Sequence, residues 1–179
     1  SPPMSNIVLD AIHERRAIRC FSPERPPHED VERVIDAGLW AASGVGKQSP
    51  IIVAITEKGL RDRIAAMNAA IMGAPEGMDP FYGAPVILAV LARRDVSTHV
   101  CDGSLAIGNM MLAATSLGLG SIWIHRAKEE FDSDEGKAIL ADLGVEGDYE
   151  GVGHCALGFT AGTVPAGAER KPDRVFWAE

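Results

Sequence analysis

The stretch from Val100 to Leu117 constrains the fold most, because its apolar residues do not keep to one face. Leu105, Ala106, Ile107, Met110, Met111, Leu112, Ala113 and Ala114 lie almost all round a helix of this length. Such a helix is buried on more than one side. In a chain of 179 residues that makes it either a central helix or the core of a dimer. Gly118-Leu119-Gly120 ends it, with glycine supplying the left-handed residue.

The other elements arrange themselves about this helix. Helical spacing of Ile7, Val8, Ala11 and Ile12 predicts a helix from a Ser5 cap to Arg15. A Pro-rich connector, 22–27, leads to a second helix with Pro27 in its first turn and Val31, Val34, Ile35, Gly38, Leu39 and Ala42 as its stripe. Trp40 lies off that stripe, as a boundary core residue or an interface anchor. Ile51–Thr56, Pro85–Ala92, Ser121–His125 and Gly151–Phe159 read as buried strands. Glu57–Met72 and Asp132–Leu143 read as helices. Gly73–Ala84, with Phe81 and Tyr82, is long for a structureless loop and is a candidate lid. The order α-α-β-α-β-α-β-α-β-tail predicts an α+β or three-layer α/β domain over 4–179, with about four strands. Ser1-Pro2-Pro3 reads as a tag remnant.

Composition removes several function classes. A formal net charge of −8 argues against a nucleic-acid or anionic-membrane partner. No apolar run reaches the roughly 18 residues of a membrane span. Cys20, Cys101 and Cys155 lack disulfide or zinc spacing, which suits a reduced cytoplasmic protein without a metal site.

Against this acidic background stands Arg15-Arg16-Ala17-Ile18-Arg19-Cys20-Phe21. Three guanidiniums within five residues repel one another unless an anion sits among them, and guanidinium suits phosphate and carboxylate. A solvated cationic helix end is the other reading. Ser43-Gly44-Val45-Gly46-Lys47-Gln48-Ser49-Pro50 allows close backbone approach, but it lacks the G-x-x-x-x-G-K-[ST] spacing of a phosphate loop. No G-x-G-x-x-G follows a first strand, which disfavours a Rossmann site. His125, His154 and the cysteines form no triad by spacing, and His154, in an apolar run, reads as a satisfied core histidine. An enzyme built this way would leave its chemistry to a cofactor, and the arginines suit a phosphorylated one.

Several stretches together resemble the FMN-dependent nitroreductase family. They are Arg15-Arg16-x-x-Arg19-x-Phe21 after a first helix, and Ala41 to Gln48 entering a strand. Two more are Ala113 to Trp123, a helix feeding a strand, and Ala156-Leu157-Gly158-Phe159 followed by Arg170-Lys171-Pro172. The resemblance runs from Met4 to the end. It implies a mixed sheet of about four strands plus one exchanged from the partner, in an intertwined homodimer with FMN at the subunit interface. It also implies ping-pong transfer of hydride from NADH or NADPH through FMN to a nitroaromatic, quinone or similar electrophile.

Residue by residue, the resemblance places Arg15 and Arg170 at the FMN phosphate, with Arg16 and Ala17 at the ribityl and pyrimidine parts. Arg19 falls near the flavin N1–C2=O edge, where a fixed cation stabilises charge left by hydride transfer. Ser43 and Gly44 match contacts from the partner subunit. Gln48 matches a glutamine before the strand. Trp123, Ile124 and His125 match the segment over the flavin face. The chain departs from the family at Ala17 (often serine), Gly46 (often asparagine), Ser49-Pro50 and Ala168, and its middle loop lacks a basic residue. Ala17 and Gly46 keep open a flavin store or redox sensor; a relative that cleaves flavin or removes halogen is disfavoured, because Gly73–Ala84 lacks the lid residues of those relatives.

Overall fold

The computed structural model describes residues 6–179. Ser5 and residues 1–4 lie outside the described residues. Helix α1 (Ile7–Glu14) is capped by Asn6, whose side chain accepts from the Leu9 amide at 2.9 Å. Among the described residues little covers its predicted apolar face: Ile7 is 83% and Val8 66% exposed, and Ala11 is half-buried. Helix α2 (His28–Leu39) buries Val31, Val34 and Gly38. Gly38 lets α2 close on helix α4 (His99–Ser116), since a Cβ there would meet Met110 Cγ at 2.7 Å. Trp40 at the end of α2 is 81% exposed, so it is no part of this chain's core.

Strands β1 (Pro50–Ile55), β2 (Val86–Arg93), β3 (Gly120–Ile124) and β4 (Tyr149–Gly158) form one sheet in the order β1-β2-β4-β3. All three strand pairings are antiparallel. The parallel pairing of a mixed sheet is confined to an isolated bridge, Ala17 to Ser121. Central β2 is covered on both faces. Ile87, Ala89 and Leu91 join Ile64, Phe81 and Phe131 in one core, while Val86, Leu88, Val90 and Ala92 join Val34, Ile107 and Met110 in another. Successive strand residues point to opposite faces, so one aliphatic run fills two cores and the molecule has three layers. On one face lie α2 and α4. Helix α3 (Lys58–Met72) lies on the other.

The predicted helix Asp132–Leu143 forms as α6 (Asp134–Asp142), and a further short helix, α5 (Ala127–Asp132), precedes it. Ser133 separates the two by accepting from the Gly136 amide at 3.0 Å and donating to Glu130 O at 2.5 Å. Gly136 packs against the Glu130–Phe131 backbone too closely for any Cβ. The second half of the 73–84 loop is fixed. Asp79 accepts from the Phe81 and Gly83 amides and pairs with Arg61 at 2.6 Å, and Phe81 is fully buried. Those contacts tie that half to the core, while Pro75–Met78 form the longest exposed run of the loop.

Helix α4 presents Asp102, Gly103, Ala106, Ile107, Met110 and Ala114 inward and leaves Leu105 52% exposed. The sheet and α2 thus account for one side of its all-round apolar surface. The tail from Thr160 carries no helix or named strand and leaves Val175, Phe176 and Trp177 exposed. No described helix is long and apolar enough to cross a membrane.

Candidate cofactor and substrate site

The arginine segment leaves α1 at Arg15, whose ψ of 133° ends the helix. It then runs extended beside β3. Ile18 N donates to Ser121 O at 3.1 Å, and Phe21 N to Tyr82 O at 3.2 Å. Buried Ile18 and Phe21 are the anchors. Between them Arg19 and Cys20 are exposed, and Arg16, ahead of Ile18, is half-buried. Arg16 folds back to donate to His13 O at 2.6 Å and Arg15 O at 2.8 Å. Among the described residues, no carboxylate pairs with Arg15, Arg16 or Arg19. In a chain with 25 acidic residues, an unpaired trio of guanidiniums is an anion site in waiting.

Beside it lies a cavity of about 230 Å³ lined by Arg19, Ile122, Trp123, Ile124, His125 and Arg126 with Met72, Met78, Pro80 and Tyr82. The Trp123 and His125 rings stack at 6.4 Å. One wall of the cavity is therefore the end of β3, and the other is the 72–82 loop. A flat ring with a phosphate tail matches this combination of apolar walls, rings and cations. The residues present thus fit FMN.

The structure brings Arg19 together with Trp123, Ile124 and His125 in this cavity, and Ala17 bridges to Ser121 on β3; Arg15 and Arg16 precede that bridge and do not line the cavity. It also carries the tail back to the arginines, for Gly167 lies against the Arg16 guanidinium. Arg170 itself bonds Ala168 O at 2.8 Å and is exposed. Ser43 and Gln48 stand elsewhere and line a separate hollow with Asp102 and Ala106, and Gly44 lies between them in the chain. That loop is held from below. Asp102 accepts from Gly44 N at 2.9 Å, Ser49 Oγ at 2.7 Å and Thr98 Oγ1 at 3.0 Å. Burial pushes the Asp102 carboxyl up; bonds from Ser49, Gly44 and Thr98 outweigh it and leave the group below its ordinary range. Ser43 Oγ accepts from Gln48 N at 3.0 Å, and Val45 and Gln48 take positive φ.

Sequence reading assigned no site role to Met72 or Met78, named Tyr82 only as part of a candidate lid, and offered Arg126 only as the neighbour of His125; all four line the cavity. Arg126 and Tyr82 both have positive φ, 75° and 55°, a property that no side-chain pattern announces. His154 is the core histidine expected, fully buried, but it bonds Glu130 at 2.7 Å rather than standing alone. Among the described residues no group of His, Cys, Asp or Glu is arranged to hold a metal.

The nitroreductase family model matches residues 12–159. A Methanothermobacter thermautotrophicus protein named as an NADH dehydrogenase/NAD(P)H nitroreductase is 29% identical over 120 residues. That match takes in 65% of this chain and 59% of the relative, so the chain spans about three fifths of that relative's length. The crystal structure of a Bacteroides fragilis nitroreductase with bound FMN superposes with a TM-score of 0.87 at 29% identity, over 98% of this chain and 100% of that one. A Desulfitobacterium hafniense nitroreductase with bound FMN gives 0.88 at 25% identity, over 98% and 100%. With its extended arginine segment bridged to β3, its four-stranded sheet and a match that runs from Ile12 to Phe159, the chain belongs to the nitroreductase family.

Proposed function

We propose that the protein is an FMN-dependent oxidoreductase passing hydride equivalents from NADH or NADPH to a nitroaromatic, quinone or similar electrophile. The observation that carries this is a row of guanidiniums that, among the described residues, has no carboxylate partners, beside a ring-lined cavity at the end of β3. FMN, when bound, supplies the hydride chemistry. Arg15, Arg16 and Arg170 are assigned to its phosphate and ribityl parts, with Ala17 beside them. Arg19 holds a fixed positive charge at the cavity wall, where negative charge collects on hydride transfer. Trp123, Ile124 and His125 form the wall against the ring. Met72, Met78 and Tyr82 restrict water.

The partner is a second copy of this chain. Support comes from large apolar side chains left open on α1, at Trp40 and in the tail at Phe176 and Trp177, and from the 43–48 loop, which does not line the cavity of its own chain. Ser43, Gly44 and Gln48 then complete the neighbouring copy's site. A solution mass of twice 19.0 kDa by light scattering is expected; a stable monomer with FMN at full occupancy refutes the shared site. The domain runs over 4–179. Three free cysteines support a reducing, cytoplasmic setting.

The deciding experiment is an absorbance spectrum from 300 to 550 nm, followed by anaerobic NADH or NADPH. Flavin bands that bleach are the expected result. Bands that persist with either nucleotide refute the oxidoreductase and favour a flavin store or sensor. A protein that takes up no FMN refutes the cofactor assignment.

A further inference from the structure

Arg126 sits in the cavity wall with its backbone in the left-handed region, φ 75° and ψ 14°. A non-glycine residue held there persists only where its surroundings over-determine it, and such residues cluster at functional sites. Here the surroundings are a buried polar chain. Arg126 Nε donates to Asn68 Oδ1 at 2.8 Å. Asn68 Nδ2 donates to His125 O at 2.9 Å and to Glu130 Oε2 at 2.5 Å. Glu130 Oε1 meets His154 Nε2 at 2.7 Å, and His154 Nδ1 meets Ile124 O at 2.8 Å. Asn68, Glu130 and His154 are all fully buried.

The chain fixes the direction of every group in it. A carbonyl only accepts, so His154 Nδ1 carries a proton, and the Nε2–Oε1 contact holds one more. Whichever partner owns that second proton, Glu130 Oε2 still accepts from Asn68. Two acceptors on the Asn68 amide nitrogen force Oδ1 toward Arg126. The guanidinium is thereby positioned through Nε alone, and its terminal amino groups remain for another partner. Among the described residues no carboxylate pairs with Arg126. Residues on the opposite wall, Met78, Pro80 and Tyr82, include no carboxylate.

We propose that Arg126 recognises an oxyanion carried by the ring-bearing molecule that enters this cavity, with Asn68, Glu130 and His154 as its positioning residues. The inference rests on the function proposed above and names its ligand class: a flat ring bearing a carboxylate or phosphate. That oxyanion has two possible sources, a carboxylate on the electron acceptor or the 2′-phosphate of NADPH.

The test uses FMN-loaded protein in four forms: unaltered, Arg126→Gln, Arg126→Lys, and Arg93→Gln as an exposed charge control. Oxidised protein is titrated with benzoate and with benzamide, reading the flavin absorbance. Then kcat and KM are measured for 4-nitrobenzoate against 4-nitrobenzamide, and for NADPH against NADH. Losing a charge-assisted bidentate contact predicts benzoate affinity about tenfold to a hundredfold lower in Arg126→Gln, with benzamide unmoved. KM for 4-nitrobenzoate rises while kcat holds, Arg126→Lys recovers part of the loss, and Arg93→Gln changes nothing. That pattern assigns the oxyanion to the acceptor. A lowered preference for NADPH over NADH, with the acceptor ratio unmoved, assigns it to the donor. Arg126→Gln that leaves both ratios unchanged overturns the proposal. So does a variant that moves only the flavin reduction potential, which would place Arg126 on the cofactor. Failure of the oxidoreductase reading looks different, since unaltered protein then does not bleach, and the benzoate titration still judges Arg126. Asn68→Ala is the second probe. It removes the Oδ1 that holds Arg126 Nε, so the benzoate affinity falls with the flavin retained and benzamide unmoved; full benzoate affinity in a folded Asn68→Ala refutes the positioning role.

Discussion

Replacing Asp102 tests how the 43–48 loop is held. Its carboxylate is buried at 3% exposure and accepts three hydrogen bonds, from Gly44 N, Ser49 Oγ and Thr98 Oγ1. Asp102→Asn keeps the shape and one acceptor for Gly44. The two hydroxyls then face an amide nitrogen and must turn round to accept from it. Exchange of charged for neutral bonds costs about 1–3 kcal/mol, and Asp102→Ala, which orphans buried donors, about 3–4 kcal/mol. The pH dependence separates this account from a packing effect. The folded group titrates below its ordinary value of 3.8. Its contribution is therefore fully present above about pH 4 and is lost as pH falls through the lower folded value. Urea denaturation of Asp102→Asn and unaltered protein is expected to differ by about 1–3 kcal/mol at pH 7, and the gap closes as the pH drops below the folded value. Equal stability at pH 7, or a gap of the same size at both ends, refutes the reasoning.

Arg15→Ala with Arg170→Ala is expected to weaken FMN binding by about 1.5–3 kcal/mol for each charge-assisted contact removed; stoichiometric FMN in the double variant sinks the phosphate assignment. Phe81→Ala, emptying a fully buried site, is expected to cost about 3–5 kcal/mol in denaturant unfolding, and a cost near zero would mean that the 79–84 segment is not fixed as described. Burial pushes the Cys155 thiol up to about 12, so thiol reagents at pH 8 should leave it unmodified until the protein unfolds; labelling of Cys155 in folded protein, read by mass spectrometry, contradicts its burial. Gly151→Ala should destabilise strongly, because its Cβ has no room against the Ala127 backbone; a melting temperature equal to that of the unaltered protein would refute that packing.

The sequence by itself determined the elements whose signal is local. The unbroken aliphatic run of β2 specifies a strand covered on both faces, and it supplies alternate residues to two cores. The arginine triplet announces an anion site because side-chain charge is written in the residues, and the order of four motifs carries the family. Tertiary structure decided what depends on meeting partners far along the chain. Which strand lies beside which, β1-β2-β4-β3, follows from how the helices close over the sheet, and no periodicity encodes it. The short helix α5 is set off from α6 where Gly136 approaches Glu130, and its six residues carry no periodic pattern of their own. Arg126 was legible only as a cation next to His125. Its left-handed backbone and its bond to Asn68, 58 positions away, exist because a buried glutamate and histidine turn that amide, and only the folded core brings those four residues together.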